Sequence, residues 1–305
     1  MPKNWWAAIA LLLALGALSA CAAQGPASGR PDSEDPRPLV LTTFTVLADM
    51  ARTIGGGHVR VESITKIGAE IHGYEPTPSD LVNAQEADLI LDNGLGLERW
   101  FERFVASVPV PHVVLSEGVE PVDIRSGDYE GKPNPHAWMS PLAAKTYVDN
   151  TVKALSRLDP AHAADFRTNG ELYKRELDAV MKELKEAFRD PGAARALVTC
   201  EGAFSYLTRD AGLQEAFLWP VNSDAEGTPH QIKDAIRFVQ AHKAPAVFCE
   251  STVNPSAMEQ VAAATGARLV MPLYVDSLSA ADGPVPTHLD LIRHDIRLIK
   301  EGLAP

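Results

Sequence analysis

The chain has 305 residues, with 40 acidic residues against 28 lysines and arginines and a formal net charge of −12. This balance argues against a nucleic-acid-binding role and favours cations as partners. Only three cysteines are present, none in a CxxC or Cys/His zinc pattern, which excludes a zinc finger or a disulfide-stapled mini-scaffold.

Residues 1–20 read as an export signal. Lys3 supplies one positive charge, and Trp5 to Ala20 is an almost unbroken apolar run. That run is shorter than the roughly 20 residues of a membrane span but suits a signal core. It ends in Leu18-Ser19-Ala20-Cys21, the small-residue pattern of a bacterial lipoprotein signal, with Cys21 as the lipid-bearing residue. An ordinary secretory signal with a chance cysteine is the alternative. Residues 21–38 are rich in Gly, Pro, Ser and Asp and read as a flexible tether with nothing to bury. The protein is therefore expected in the cell envelope, either lipid-anchored to the outer face of the cytoplasmic membrane or periplasmic.

The rest of the chain repeats one rhythm. Strand-like runs fall at Leu39–Phe44, Val59–Ile67, Asp88–Asp92 and His112–Leu115, and again at Ala196–Cys200, Ala216–Val221, Ala246–Cys249 and Arg268–Val275. Helical stripes separate most of them, among them Leu97, Phe101, Phe104 and Val105, and Ile232, Ala235, Ile236 and Val239. Between the halves, Asp165 to Arg189 carries Tyr173, Leu177, Val180, Met181, Leu184 and Phe188 on one face, a long amphipathic helix closed by Asp190-Pro191-Gly192. Asn169-Gly170 is where such a helix is expected to start late or kink. About 20 helical residues span roughly 30 Å, enough for a stiff strut between two lobes. Thr287 and Asp290 form a capping box for a last helix bearing Leu289, Ile292, Ile296 and Ile299. The expected fold class is α/β: two lobes, each with a four-stranded parallel sheet flanked by helices, joined by one long rigid helix. The boundaries are an N-terminal lobe at 39–158, a connecting helix at 159–190 and a C-terminal lobe at 191–305.

Four residues lie just past strand-like runs, where an open α/β sheet keeps its ligands. They are His72 in EIHGYEPTPSD, His136 in NPHAWMSP, Glu201 in VTCEGAFSY and Asp276 in LYVDSLSAADGP. Two imidazoles and two carboxylates make a complete ligand set for one divalent cation. Nine histidines and 40 acids permit many such quartets, so spacing alone does not single this one out. His58, His112, His162, His230, His242, His288 and His294 read as turn, strand-edge or helix-face residues. Glu250 reads as a supporting group, and Trp138 and Trp219 as packing. Cys200 and Cys249 each end a buried-looking strand and read as core thiols, with a disulfide left open outside the cytoplasm. No HExxH or GxSxG pattern occurs, and four protein ligands leave little room for the open position of a catalytic metal. The chain reads as a receptor rather than an enzyme.

The segments IHGYEPTPSDL, NPHAW, TCEGAFSYL and VDSLS…DGPVPTHLDLIRHDI resemble the metal-specific substrate-binding proteins of bacterial ABC transporters, the manganese/zinc/iron receptor and lipoprotein-adhesin family. LTTFTVLADMARTIGG and DNGLGLERW extend the resemblance, which runs from about Leu39 to Leu303. It implies two α/β lobes joined by a rigid helix, metal ligands at His72, His136, Glu201 and Asp276, and a membrane permease with its ATPase as partners of a monomer. Zinc receptors of this family usually carry a third histidine where this chain has Glu201, and often a histidine-rich loop that SEGVEPVDIRSGDYEGKPN lacks. The carboxylate makes a harder, oxygen-rich set, so Mn²⁺ is the expected cargo, with Fe²⁺ second and Zn²⁺ third. Release is expected to require the permease to disturb a ligand, one from the second lobe.

Overall fold

The computed structural model describes residues 35–101, 104, 108–125, 127, 129–189, 195–221 and 227–304. The export signal, Cys21, most of the tether, Val105 and Asp190-Pro191-Gly192 lie outside the described residues. In the first half, strands β1 (Leu39–Thr42), β2 (Arg60–Ser63), β3 (Leu89–Asp92) and β4 (His112–Val114) form one parallel sheet of order β2-β1-β3-β4. β1 and β3 are buried along their whole length, as central strands covered on both faces must be. The chain leaves β1 towards β2 and later returns to β3, so the carboxyl ends of the strands open a crevice at this switch point.

Helices α1 (Thr45–Gly55) and α2 (Pro78–Glu86) connect the first three strands. α2 starts at a full capping box: the Thr77 side chain accepts from the Asp80 backbone, Asp80 reaches back, and Pro78 pre-sets the first turn. α3 (Pro141–Leu158) starts at a one-sided cap, the Ser140 hydroxyl accepting from Leu142 N and Ala143 N, with Pro141 in the first turn. Both caps follow the loops bearing His72 and His136, so each histidine loop ends at a fixed point.

In the second half, β5 (Ala196–Glu201) pairs in parallel with β6 (Gln214–Trp219), and β7 (Ala246–Glu250) with β8 (Arg268–Leu273). The four expected strands are present as two parallel pairs, with β5 and β7 in contact at their inner edges. Two side-chain links join these edges. The Glu201 N–H donates to Glu250 Oε2 at 3.2 Å, and Cys200 and Cys249 form a disulfide with Cα atoms 5.0 Å apart. The core-thiol reading is thereby corrected: adjacent strands bring the two sulfurs together. Helices α5 (Ser205–Ala211), α6 (Pro229–His242), α7 (Ser256–Thr265) and α8 (His288–Leu303) complete this half. α8 begins at Thr287, whose hydroxyl accepts from Asp290 N at 3.1 Å, but Asp290 returns to the Thr287 hydroxyl rather than its N–H. Only half of the expected capping box forms.

The long helix α4 (Ala163–Ala187) runs unbroken through Asn169-Gly170. Asn169 Nδ2 donates to the Ile54 carbonyl at the end of α1, 3.0 Å away. A Cβ on Gly170 would lie 2.5 Å from Val152 Cγ2, so glycine here lets α4 approach α3 closely instead of kinking it. α4 also packs on α1 and α8. One hydrophobic core therefore contains Phe44, Trp138, Tyr173, Leu177, Leu273 and Ile292, drawn from both halves and from α4. Among the described residues no helix is long and apolar enough to cross a membrane.

Candidate metal centre

The fold brings His72, His136, Glu201 and Asp276 together, one potential donor atom from each lying within 4.8 Å of all the others. The two Nε2 atoms are 3.1 Å apart, and Glu201 Oε1 is 3.2 Å from His72 Nε2 and 3.3 Å from His136 Nε2. Glu201 is the last residue of β5, and Asp276 stands three residues beyond β8. His72 and His136 lie in the longer loops after β2 and β4. The two histidines of the first half thus face the two carboxylates of the second across the crevice.

Each histidine is fixed by an acceptor two residues before it. Glu70 accepts the backbone N–H of His72 at 2.7 Å and that of Gly73 at 2.8 Å. Asn134 Oδ1 accepts the backbone N–H of His136 at 3.0 Å. That N–H can only donate, so it settles the Asn134 amide orientation and makes Oδ1 the atom that meets His136 Nδ1 at 2.9 Å. Nδ1 therefore carries the hydrogen and Nε2 presents its lone pair to the site, the tautomer a cation requires. The rhythm Glu-Ile-His and Asn-Pro-His was visible in the sequence; the orienting role of Glu70 and Asn134 was not read from it.

Cross-links between the halves surround the cluster. Gly68 N donates to Ser277 Oγ at 2.6 Å, Leu278 N to Thr45 Oγ1 at 3.0 Å, and Asn134 Nδ2 to the Gly202 carbonyl at 2.6 Å. Glu250 is fully buried beside Glu201, the supporting place expected of it. Trp138 packs on His136 with ring centroids 5.2 Å apart, also as expected. Trp219 is buried in the separate core between β5, β7, α6 and α7. Of the remaining histidines, His288 departs from the helix-face reading: it is fully buried and bonds to Tyr173 and Trp138.

The electrostatics suit a cation. Burial works against charge on His72, but its hydrogen bond to Glu201 and the fields of Glu201, Asp276 and Glu70 lift it to about 9. Burial instead keeps His136 below the ordinary histidine value despite Glu201. Burial opposes charge on Glu201 too, yet His136 and His72 hold it below the usual carboxylate range. Asp276 and Glu250 are pushed well up, first by burial and then by the Glu201 charge. Crowded carboxylates that cannot all ionise are a site short of positive charge.

The sequence matches the family described as zinc-uptake complex component A, periplasmic, over residues 40–302. It is 46% identical over 300 residues to the iron-binding protein YfeA of Yersinia pestis, covering 98% of this chain and 96% of that protein. It is 32% identical over 304 residues to the manganese ABC transporter substrate-binding lipoprotein PsaA of Streptococcus mitis, covering 96% and 97%. A Mn-bound periplasmic metal-binding protein from Candidatus Liberibacter asiaticus shares the fold with a TM-score of 0.80 at 34% identity, covering 88% of this chain and 100% of that one. The periplasmic zinc-binding protein TroA of Treponema pallidum gives a TM-score of 0.80 at 26% identity with the same coverage.

Proposed function

The chain belongs to this family of periplasmic metal-binding ABC transporter components, and we propose that His72, His136, Glu201 and Asp276 capture Mn²⁺ or Fe²⁺ as its cargo. It is a substrate-binding component and not an enzyme, and a permease with its ATPase is its partner in transport. The observation that carries the metal reading is the donor set itself. Two imidazoles and two carboxylates, each carboxylate able to offer two oxygens, favour a harder ion in a larger shell than four-coordinate zinc prefers. Mn²⁺ comes first on this chemistry and Fe²⁺ second, and the 46% identical relative named for iron supports the second.

We place anchoring at Cys21 and a monomeric receptor beside the membrane, with lobes at 39–158 and 191–305 around the 159–190 connection. Release starts at His72 rather than at a second-lobe ligand. The His72 side chain is 9% exposed, whereas those of His136 and Glu201 are fully covered, as is Asp276. A partner at the crevice mouth therefore meets the His72 loop first.

Equilibrium competition does not identify the cargo, because zinc outranks manganese in intrinsic affinity for most nitrogen and oxygen sites. Growth of a deletion strain does. Rescue by manganese or iron at limiting supply is expected, and rescue by zinc alone overturns the reading.

A further inference from the structure

The support behind His136 does not stop at Asn134. Asn134 Nδ2 reaches Ser205 Oγ at 3.3 Å as well as the Gly202 carbonyl. Ser205 then has one hydrogen to give. Glu215 Oε2 lies 2.7 Å from its oxygen and the Gly202 carbonyl 3.4 Å, so Oε2 takes it whenever Glu215 is ionised, which burial confines to pH above about 7. The donors run in one direction: His136 Nδ1–H to Asn134 Oδ1, Asn134 Nδ2–H to Ser205 Oγ, and Ser205 Oγ–H to Glu215 Oε2. Such a chain polarises each of its members and ends on a group that, when ionised, only accepts.

We propose that Glu215, acting through Ser205 and Asn134, is a positioning residue for His136 that sets how long the metal ion is retained. The relay crosses from the first half to the second, so it locks the His136 loop to the segment that follows Glu201. Its outer end lies on β6, the strand paired with the one that ends at Glu201. Glu215 lies in β6 and borders a cavity of about 600 Å³ also lined by Arg125, Arg209 and Asp234. Its second oxygen, Oε1, is buried and has no hydrogen-bond partner among the described residues, so the Ser205 hydroxyl is the hydrogen bond that anchors this carboxylate. Losing the carboxylate frees the Ser205 hydrogen to turn back towards Gly202. The Asn134 amide then loses the fixed acceptor on its far side, and His136 loses part of the constraint on its ring.

This inference rests on the metal reading above. The test uses the full-length protein loaded with Mn²⁺ and mixed with excess chelator. Glu215→Ala and Ser205→Ala are expected to release Mn²⁺ about tenfold faster, the lower end of what supporting groups contribute to metal binding. Glu215→Gln keeps an oxygen for the Ser205 hydrogen and is expected to restore the slow rate. In ¹⁵N-histidine spectra of the metal-free protein, the Nδ1-protonated share of His136 falls in Ser205→Ala and Glu215→Ala and stays high in Glu215→Gln, a pattern that loss of packing alone does not produce. Wild-type release rates and an unchanged His136 tautomer in Ser205→Ala and Glu215→Ala overturn the relay, while loss of Mn²⁺ retention in His136→Ala still upholds the site. Full retention by His136→Ala overturns the site, and the relay with it.

Discussion

Trp138 and Val275 meet across the two halves of the chain, the indole Nε1 donating to the Val275 carbonyl at 3.3 Å. Trp138 follows His136 by two residues, and Val275 precedes Asp276 by one. The Trp138 carbonyl in turn accepts from His288 Nε2 at 3.0 Å, and His288 Nδ1 accepts from the Tyr173 hydroxyl of α4 at 2.9 Å. Burial lowers the His288 pKa to about 4, consistent with this neutral tautomer. The long helix is thus linked through His288 to Trp138 and from there to Val275, beside a candidate ligand of each half.

Two halves tied in this way, over one shared core, are not free to swing. Solution scattering of the metal-free and Mn²⁺-loaded protein is expected to superimpose within error. A contraction of the kind produced by hinged domain closure would contradict the arrangement.

Glu201→Ala and Asp276→Ala are each expected to abolish most of the thermal stabilisation conferred by Mn²⁺. A ligand at 100 times its Kd contributes about 2.7 kcal/mol to the native state, and losing a donor removes that contribution in proportion to the lost affinity. Melting curves with and without metal measure it. Full stabilisation in both variants contradicts the ligand assignment.

Metal uptake should release protons. His72, raised to about 9, holds a proton at neutral pH that an incoming cation must displace from Nε2. Below that value the apparent affinity therefore rises with pH, about tenfold per unit for each proton displaced. Titration calorimetry at pH 7 in buffers of different ionisation enthalpy is expected to show at least one proton released per ion. Uptake with none released contradicts the charged state of His72.

Glu98, which is not one of the four candidate donors, provides a second pH signature. Burial raises its pKa from 4.5 to about 7, with Asp92 adding to the effect, although Thr43 and Asn93 donate to its carboxylate. A carboxyl with a raised folded-state pKa stabilises fully below its unfolded value and loses that contribution as pH rises through 7. Between pH 4.5 and 7 the wild type should therefore lose about 3 kcal/mol relative to Glu98→Gln. Parallel urea titrations of the two proteins check the difference.

Gly170→Ala should destabilise despite alanine's better helix propensity of about 1 kcal/mol. The added methyl meets Val152 Cγ2 at 2.5 Å in the α3–α4 contact. Overpacking of this kind costs about 1–3 kcal/mol. A net loss in denaturant midpoint is expected, and a gain would show that the two helices part easily.

All eight strands were legible as short apolar runs, and their observed bounds differ from the expected ones by a few residues. Their apolar stretches are local features, set by which side chains a covered strand must bury. The long helix was equally legible from its stripe of Tyr173, Leu177, Val180, Met181 and Leu184, all buried against the shared core. Asn169-Gly170 misled because helix propensity is also local, while the need for a side-chain-free face against Val152 comes from the neighbouring helix.

By itself the sequence determined the α/β rhythm, the long helix and the four candidate donors, because strand ends, caps and family motifs are written in contiguous residues. Only the tertiary structure decided that the donors converge within 4.8 Å, that Cys200 meets Cys249, and that Asn134 joins His136 to Gly202 and Ser205. Most of these are meetings between residues far apart in the chain. The order of the strands and the direction of each side chain decide them, and neither is encoded in any single stretch.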